Sequence, residues 1–159
     1  MIASHRAKFI IVLISIYQAV FGLYGLHFLF RVDSNNILDY IAALLFFYPV
    51  FSSYQLYYRK KVTYSIINFA FQLVQFKIGH FGIQYIIGTY FGIGFYIDQI
   101  KGFIPTFEFL WAEASIALQI GSGPEVYAVE LNLIAVIILW LLFKLLDRKE
   151  NLGSTSWID

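Results

Sequence analysis

The most constraining feature of this sequence is a long apolar segment near its start. Residues 9–30 are 22 consecutive residues without Asp, Glu, Lys or Arg. As a helix, this segment is about 33 Å long, enough to cross the roughly 30 Å hydrocarbon core of a bilayer. It is longer than the apolar core of a signal peptide, which is about 7–15 residues, and no small-x-small cleavage site follows it. We therefore expect a retained membrane anchor.

The composition points the same way. Of the 159 residues, 60% are hydrophobic and only 13% are charged, whereas soluble domains have about 45–50% apolar and roughly 25% charged residues. A single water-soluble core of this size does not bury so much apolar surface, so we expect lipid to cover part of it. The chain has no cysteine, which excludes disulfides, thiolate metal sites and thiol redox catalysis.

Three further apolar segments complete the predicted architecture, an all-α membrane protein of four transmembrane helices. One segment is interrupted by Lys77, whose side chain is expected to extend toward the interface from near the helix end. We expect residues 1–159 to form a single integral membrane domain. The predicted spans are residues 9–30, 37–58, 62–83 and 126–143.

The distribution of basic residues predicts the orientation. With four spans, eight of the 11 Lys and Arg residues fall on the side of the two termini, and three fall on the opposite side. An excess of basic residues marks the cytoplasmic side of a membrane protein. We therefore predict an integral protein of the cytoplasmic, or inner, membrane, with both termini in the cytoplasm.

A different pattern occupies residues 84–125, the predicted lid on the outer side. From Tyr90 to residue 98, apolar residues alternate with glycine and polar residues, and residues 110–120 alternate as well. Strict alternation is typical of a strand with one apolar face. We predict a small β-rich lid, and an amphipathic interfacial helix over residues 107–120 remains the alternative.

A polar stripe runs along the predicted third span. Its members are three or four residues apart and so share one face of a helix. Such residues commonly hydrogen-bond between packed helices, and Gln18 and Asn132 are natural partners. The functional alternative is a polar path or substrate groove. The stripe consists of Ser65, Asn68, Gln72 and Gln75.

Histidines and carboxylates are predicted near the outer side, where they form an outer rim. Such groups bind metals or perform acid–base chemistry when they are suitably spaced, but the spacing here supports neither, and no His-Glu-x-x-His motif occurs. We expect a solvated rim without metal or cofactor. The rim residues are His27, His80, Glu108, Glu113 and Glu130.

The absence of a catalytic motif favours a non-catalytic role. We predict an accessory subunit or self-associating scaffold of a membrane complex, whose partners are the lipid bilayer and either another protein or further copies of this chain. The net charge of +1 gives no reason to expect nucleic acid. The alternative is a small transporter, channel or membrane enzyme that uses the polar stripe and the outer rim.

Overall fold

The computed structural model describes residues 2–29, 37–98, 102–119 and 126–151. These residues form four helices and four strands. In chain order the elements are α1 (Ile2–Leu29), α2 (Ile37–Tyr57), α3 (Thr63–Phe71), β1 (Val74–Gly79), β2 (Phe81–Asp98), β3 (Gly102–Gln119), β4 (Val126–Asn132) and α4 (Leu133–Asn151).

The larger apolar core lies where all four helices meet. Ile11 and Ile14 of α1, Phe69 of α3 and Leu142 of α4 are among its buried members. The buried members on α1 and on α4 recur three or four residues apart, the spacing that places them on one face of each helix. The core therefore joins the first half of α1 to α4.

A smaller apolar cluster joins the sheet to α1 and α2. Phe46 of α2 and Tyr85 and Ile87 of β2 are buried there, against partly buried residues that include Phe21 of α1. Gly25 allows α2 to approach closely, because a Cβ at this position would overlap the Phe46 ring. The sheet thus packs against the second half of α1.

The four strands form one antiparallel sheet in the order β1-β4-β2-β3. β2 is bent: its first residues, 81–83, pair with β1, and residues 92–97 pair with β4. β1 and β4 also pair with each other, so these three strands enclose a space. The register of β2 with β3 shifts between Gly88 and Tyr90, where a bulge increases the local bend.

The prediction of an all-α protein with four transmembrane helices is wrong. One helical segment among the described residues, His5–Leu29, is long and apolar enough to cross a membrane, although a core helix or a signal sequence also meets that criterion. α2 is 21 residues long and contains Pro49, and the last turns of α4 are charged. The N-terminal apolar helix is therefore a candidate anchor or signal sequence.

The predicted third and fourth spans fail because strands interrupt them. α3 ends at Phe71 and β1 follows; along β1 the apolar Phe76 alternates with the polar Gln75 and Lys77, a strand pattern within a segment that is apolar on average. Residues 126–132 likewise form β4 rather than the start of a helix. Apolarity averaged over about 20 residues does not distinguish a helix from a strand.

The strand predicted at residues 90–98 lies within β2, and residues 110–119 of the strand predicted at 110–120 lie within β3. The alternative amphipathic helix over residues 107–120 is wrong, since residues 107–119 belong to β3. The two strands are not a small lid, because they form the long hairpin of the central sheet. The polar segments at residues 31–36 and 121–124, which the sequence predicts to be turns, lie outside the described residues.

Candidate functional site

The most unusual polar feature is one edge of β2 between its pairings with β1 and β4. In this interval no strand among the described residues pairs with the edge that faces away from β3. Buried backbone N–H and C=O groups need hydrogen-bond partners. Side chains from α1, α3, β1 and β4 supply them, and we call this arrangement the side-chain ladder.

Two glutamines supply the first part of the side-chain ladder. The Gln75 amide accepts a hydrogen bond from the Tyr85 backbone N–H at 2.6 Å and donates one to the Tyr85 carbonyl at 3.1 Å. The Gln72 side-chain oxygen accepts a hydrogen bond from the Ile87 N–H at 3.4 Å. The Gln75 amide therefore replaces both the carbonyl and the N–H of a neighbouring strand, and the Gln72 oxygen replaces one carbonyl.

Tyr17 of α1 continues the side-chain ladder. Its hydroxyl accepts a hydrogen bond from the Thr89 N–H at 2.7 Å and donates one to the Thr89 carbonyl at 3.3 Å. Gly88 permits this approach: its φ is +108°, and a Cβ at this position would overlap the tyrosine hydroxyl. The glycine meets both a backbone requirement and a steric one.

Asn132 completes the side-chain ladder and also starts a helix. Its side-chain oxygen accepts hydrogen bonds from the N–H of Phe91 at 3.4 Å and from the N–H of Ile134 at 3.1 Å. The second contact satisfies a donor in the first turn of α4, which is the role of an N-cap residue. One buried amide therefore connects β2 with the start of α4.

The remaining stripe residues lie beside the side-chain ladder. Ser65 donates a hydrogen bond to the Gln18 side-chain oxygen at 3.0 Å, which links α3 to α1. The Tyr85 hydroxyl lies 3.4 Å from the Asn68 side-chain oxygen. All four predicted stripe residues are buried, but they follow one helix only as far as the end of α3, and Gln75 belongs to β1.

A cavity of about 250 Å³, open to the surface, is lined by residues of β1, β2 and β4. Its lining combines apolar and charged side chains, so it offers an ammonium group, a carboxylate and an apolar wall together. Its lining includes Phe76, Lys77, Gly82, Ile83, Ala128 and Glu130.

A hydrogen bond holds the carboxylate of this cavity. The Tyr90 hydroxyl donates to Glu130 Oε2 at 2.7 Å, and the Tyr90 side chain is buried. Burial, the hydrogen bond and the charge of Glu130 raise the pKa of the Tyr90 hydroxyl far above its ordinary value. Tyr90 therefore remains a donor, and Gly94 opposite Glu130 leaves room, since a Cβ there would overlap the backbone of β4.

The three glutamates of the outer rim lie on the sheet, on β3 and β4. Partial desolvation raises the pKa of the Glu108 carboxyl, and the negative charges of Glu130 and Glu113 raise it further. His27 is exposed near the end of α1, and His80 lies between β1 and β2. Within the described residues, no group of three such side chains is arranged to hold a metal ion.

Sequence reasoning missed the tyrosines that complete the polar contacts, namely Tyr17, Tyr85 and Tyr90, and it treated Lys77 only as an interruption. The alternation of polar and apolar residues in β1 was the available signal for the position of Lys77, since it places Gln75 and Lys77 on one face. No signal in the sequence pairs Tyr17 with Thr89, 72 residues away.

No protein-family model, curated protein or solved structure matches this chain.

Proposed function

We propose that this protein is a non-catalytic, self-associating scaffold that α1 anchors in a membrane. The observation that carries the proposal is a stripe of large apolar side chains exposed along the length of α1. Exposed apolar patches of this extent are uncommon on water-soluble monomers and mark contact with lipid or protein. The stripe includes Phe9, Leu13, Ile16, Val20, Leu23 and Phe28.

The polar residues support a structural role rather than a catalytic one. Gln72, Gln75 and Asn132 each bind backbone groups of β2, and an amide that is engaged in this way is not available to a substrate. No contact of these residues favours the alternative of a transporter, channel or enzyme.

The surface proposed for self-association is β3. It is an edge strand of the described sheet, and it carries exposed aromatic side chains, of which Trp111 is 76% and Phe107 is 72% exposed. A long apolar edge strand is a template for pairing with another chain. Antiparallel pairing of β3 with β3 of a second copy forms a symmetric dimer in which the same surface meets itself.

The anchor is tested by alkaline carbonate extraction of membranes from cells that express the chain. We expect the wild-type protein to remain with the membranes. Leu13→Arg/Val20→Arg should release it, because each arginine at the centre of a span costs about 2.5–3.5 kcal/mol on insertion scales. Release of the wild-type protein by carbonate contradicts the anchor.

Self-association is tested separately, by light scattering of the protein purified in mild detergent. Phe107→Lys/Trp111→Lys should convert a dimer to a monomer, since lysine protects an edge strand from pairing. The matched control is Tyr58→Lys, which replaces an aromatic residue that is 68% exposed at the end of α2. A wild-type monomer, or a dimer that survives the β3 substitutions, contradicts the scaffold.

A further inference from the structure

We infer that the cavity lined by β1, β2 and β4 binds a small zwitterion, namely an α-amino acid with an apolar side chain. This inference goes beyond the proposed scaffold function and does not depend on it, because the cavity lies in a part of the sheet away from the β3 edge and from the apolar stripe of α1.

The two charges of the cavity are placed to meet the two charges of one ligand. In the register of β1 with β4, Gln75 faces Glu130 and Lys77 faces Ala128. Lys77 and Glu130 are therefore diagonal neighbours, about 7 Å apart at their bases. No ion pair joins Lys77 to any residue that the structure describes, so its ammonium is free to bind an anionic group.

Glu130 is held in a defined position to receive a cation. Its Oε2 accepts the hydrogen bond from the buried Tyr90 hydroxyl, and its other oxygen is left to accept a hydrogen bond from a ligand. A carboxylate that is fixed in advance loses less conformational freedom on binding than a free one does. The ligand ammonium lies against Glu130, and the ligand carboxylate lies against Lys77.

The apolar wall and the cavity size define the rest of the ligand. Phe76, Ile83 and Ala128 line the same space, which measures about 250 Å³. This volume is below the roughly 300–1,000 Å³ of sites for drug-sized ligands, and it suits a molecule of amino-acid size. Gly82 leaves room for the Lys77 side chain, because a Cβ there would lie 3.3 Å from Lys77 Cγ.

The inference is tested by isothermal titration calorimetry of the full chain in mild detergent, with leucine as the probe. N-Acetyl-leucine lacks the ammonium and leucinamide lacks the carboxylate, so each tests one charge. We expect leucine to bind and each analogue to bind about tenfold more weakly or worse, the usual effect of losing one hydrogen bond to a charged group.

Substitutions locate the binding site. Lys77→Met and Glu130→Gln should each weaken leucine binding about tenfold, and Ala128→Leu should abolish it by filling the cavity. The matched control is Lys144→Met, which removes an ammonium that lies 3.8 Å from the Trp140 ring on α4 and should leave the affinity unchanged. Circular dichroism of each variant verifies that it is folded.

Two results overturn the inference. One is the absence of leucine binding to the folded wild-type protein at any concentration up to the solubility limit. The other is leucine binding that Lys77→Met and Glu130→Gln leave unchanged. If Ala128→Leu does not fold, Lys77→Met and Glu130→Gln still show whether leucine binds in this cavity. Both variants are expected to fold, because neither side chain belongs to an apolar core.

Discussion

The Gln75 side chain bonds to both backbone groups of Tyr85, with its oxygen 2.6 Å from the Tyr85 nitrogen and its nitrogen 3.1 Å from the Tyr85 oxygen. This is the hydrogen-bonding pattern of a neighbouring strand, supplied by one amide. It explains how β2 remains buried over an interval in which no described strand pairs with this edge.

Replacement of Gln75 should therefore destabilise the fold. Gln75→Leu leaves the buried N–H and C=O of Tyr85 without partners, and each costs about 1–3 kcal/mol. We expect a loss of about 2–6 kcal/mol in the free energy of unfolding, measured by urea denaturation in mild detergent. The matched control is Gln55→Leu, because the buried Gln55 Oε1 has no hydrogen-bond partner. Equal losses in the two variants contradict this account.

Gly88 should be intolerant of a side chain for two reasons. Gly88→Ala strains a backbone with a φ of +108° and pushes a methyl group into the Tyr17 hydroxyl, so we expect a loss of more than about 2 kcal/mol. Gly102→Ala is the control, since Gly102 also has a positive φ but no atom of the described residues lies within 4 Å of an added Cβ.

A double variant separates steric overlap at Gly88 from backbone strain. Tyr17→Leu removes the hydroxyl, Cζ and Cε1 atoms that the added methyl group meets, so Gly88→Ala should cost less in the Tyr17→Leu background than in the wild type. Strictly additive effects, measured by thermal unfolding of the single and double variants, indicate that backbone strain alone accounts for the loss.

Asn132 should act as the N-cap of α4. Asn132→Ala is expected to cost about 1–2 kcal/mol, the usual range for a lost cap, and to speed hydrogen exchange at the amides of Ile134 and Ala135. Asn132→Asp retains the accepting oxygen and should keep most of the stability. If the aspartate variant loses as much as the alanine variant, the cap is not the cause.

Glu108 should make stability depend on pH. Partial desolvation and the charges of Glu130 and Glu113 raise its folded-state pKa above the unfolded value of about 4.3. Its contribution to stability is therefore complete below about pH 4 and is lost as the pH rises through the folded-state pKa.

Glu108→Gln removes this titration. The variant should be more stable than the wild type at neutral pH, and the difference should shrink toward zero as the pH falls to about 4. Midpoints of urea unfolding across this range provide the measurement. A difference that does not vary with pH assigns the effect to packing instead.

The sequence by itself determined where the apolar segments lie and where apolar residues alternate with polar residues or glycine. The first helix follows from residues 9–30, and the strands at 90–98 and 110–119 follow from alternation, because both patterns are local properties of the chain. The same local patterns singled out Ser65, Asn68, Gln72 and Gln75 as polar residues in apolar surroundings, and all four are buried.

Only the tertiary structure decided what those polar residues bind and which segments become strands. Residues 74–79 and 126–132 are apolar on average, and they become β1 and β4 because they pair with each other, at a separation in sequence that no local pattern reveals. Gln75 meets Tyr85, and Tyr17 meets Thr89, only after β2 folds against α1 and α3. Hydrogen bonds between distant segments depend on backbone groups that every residue carries, so the sequence does not mark them.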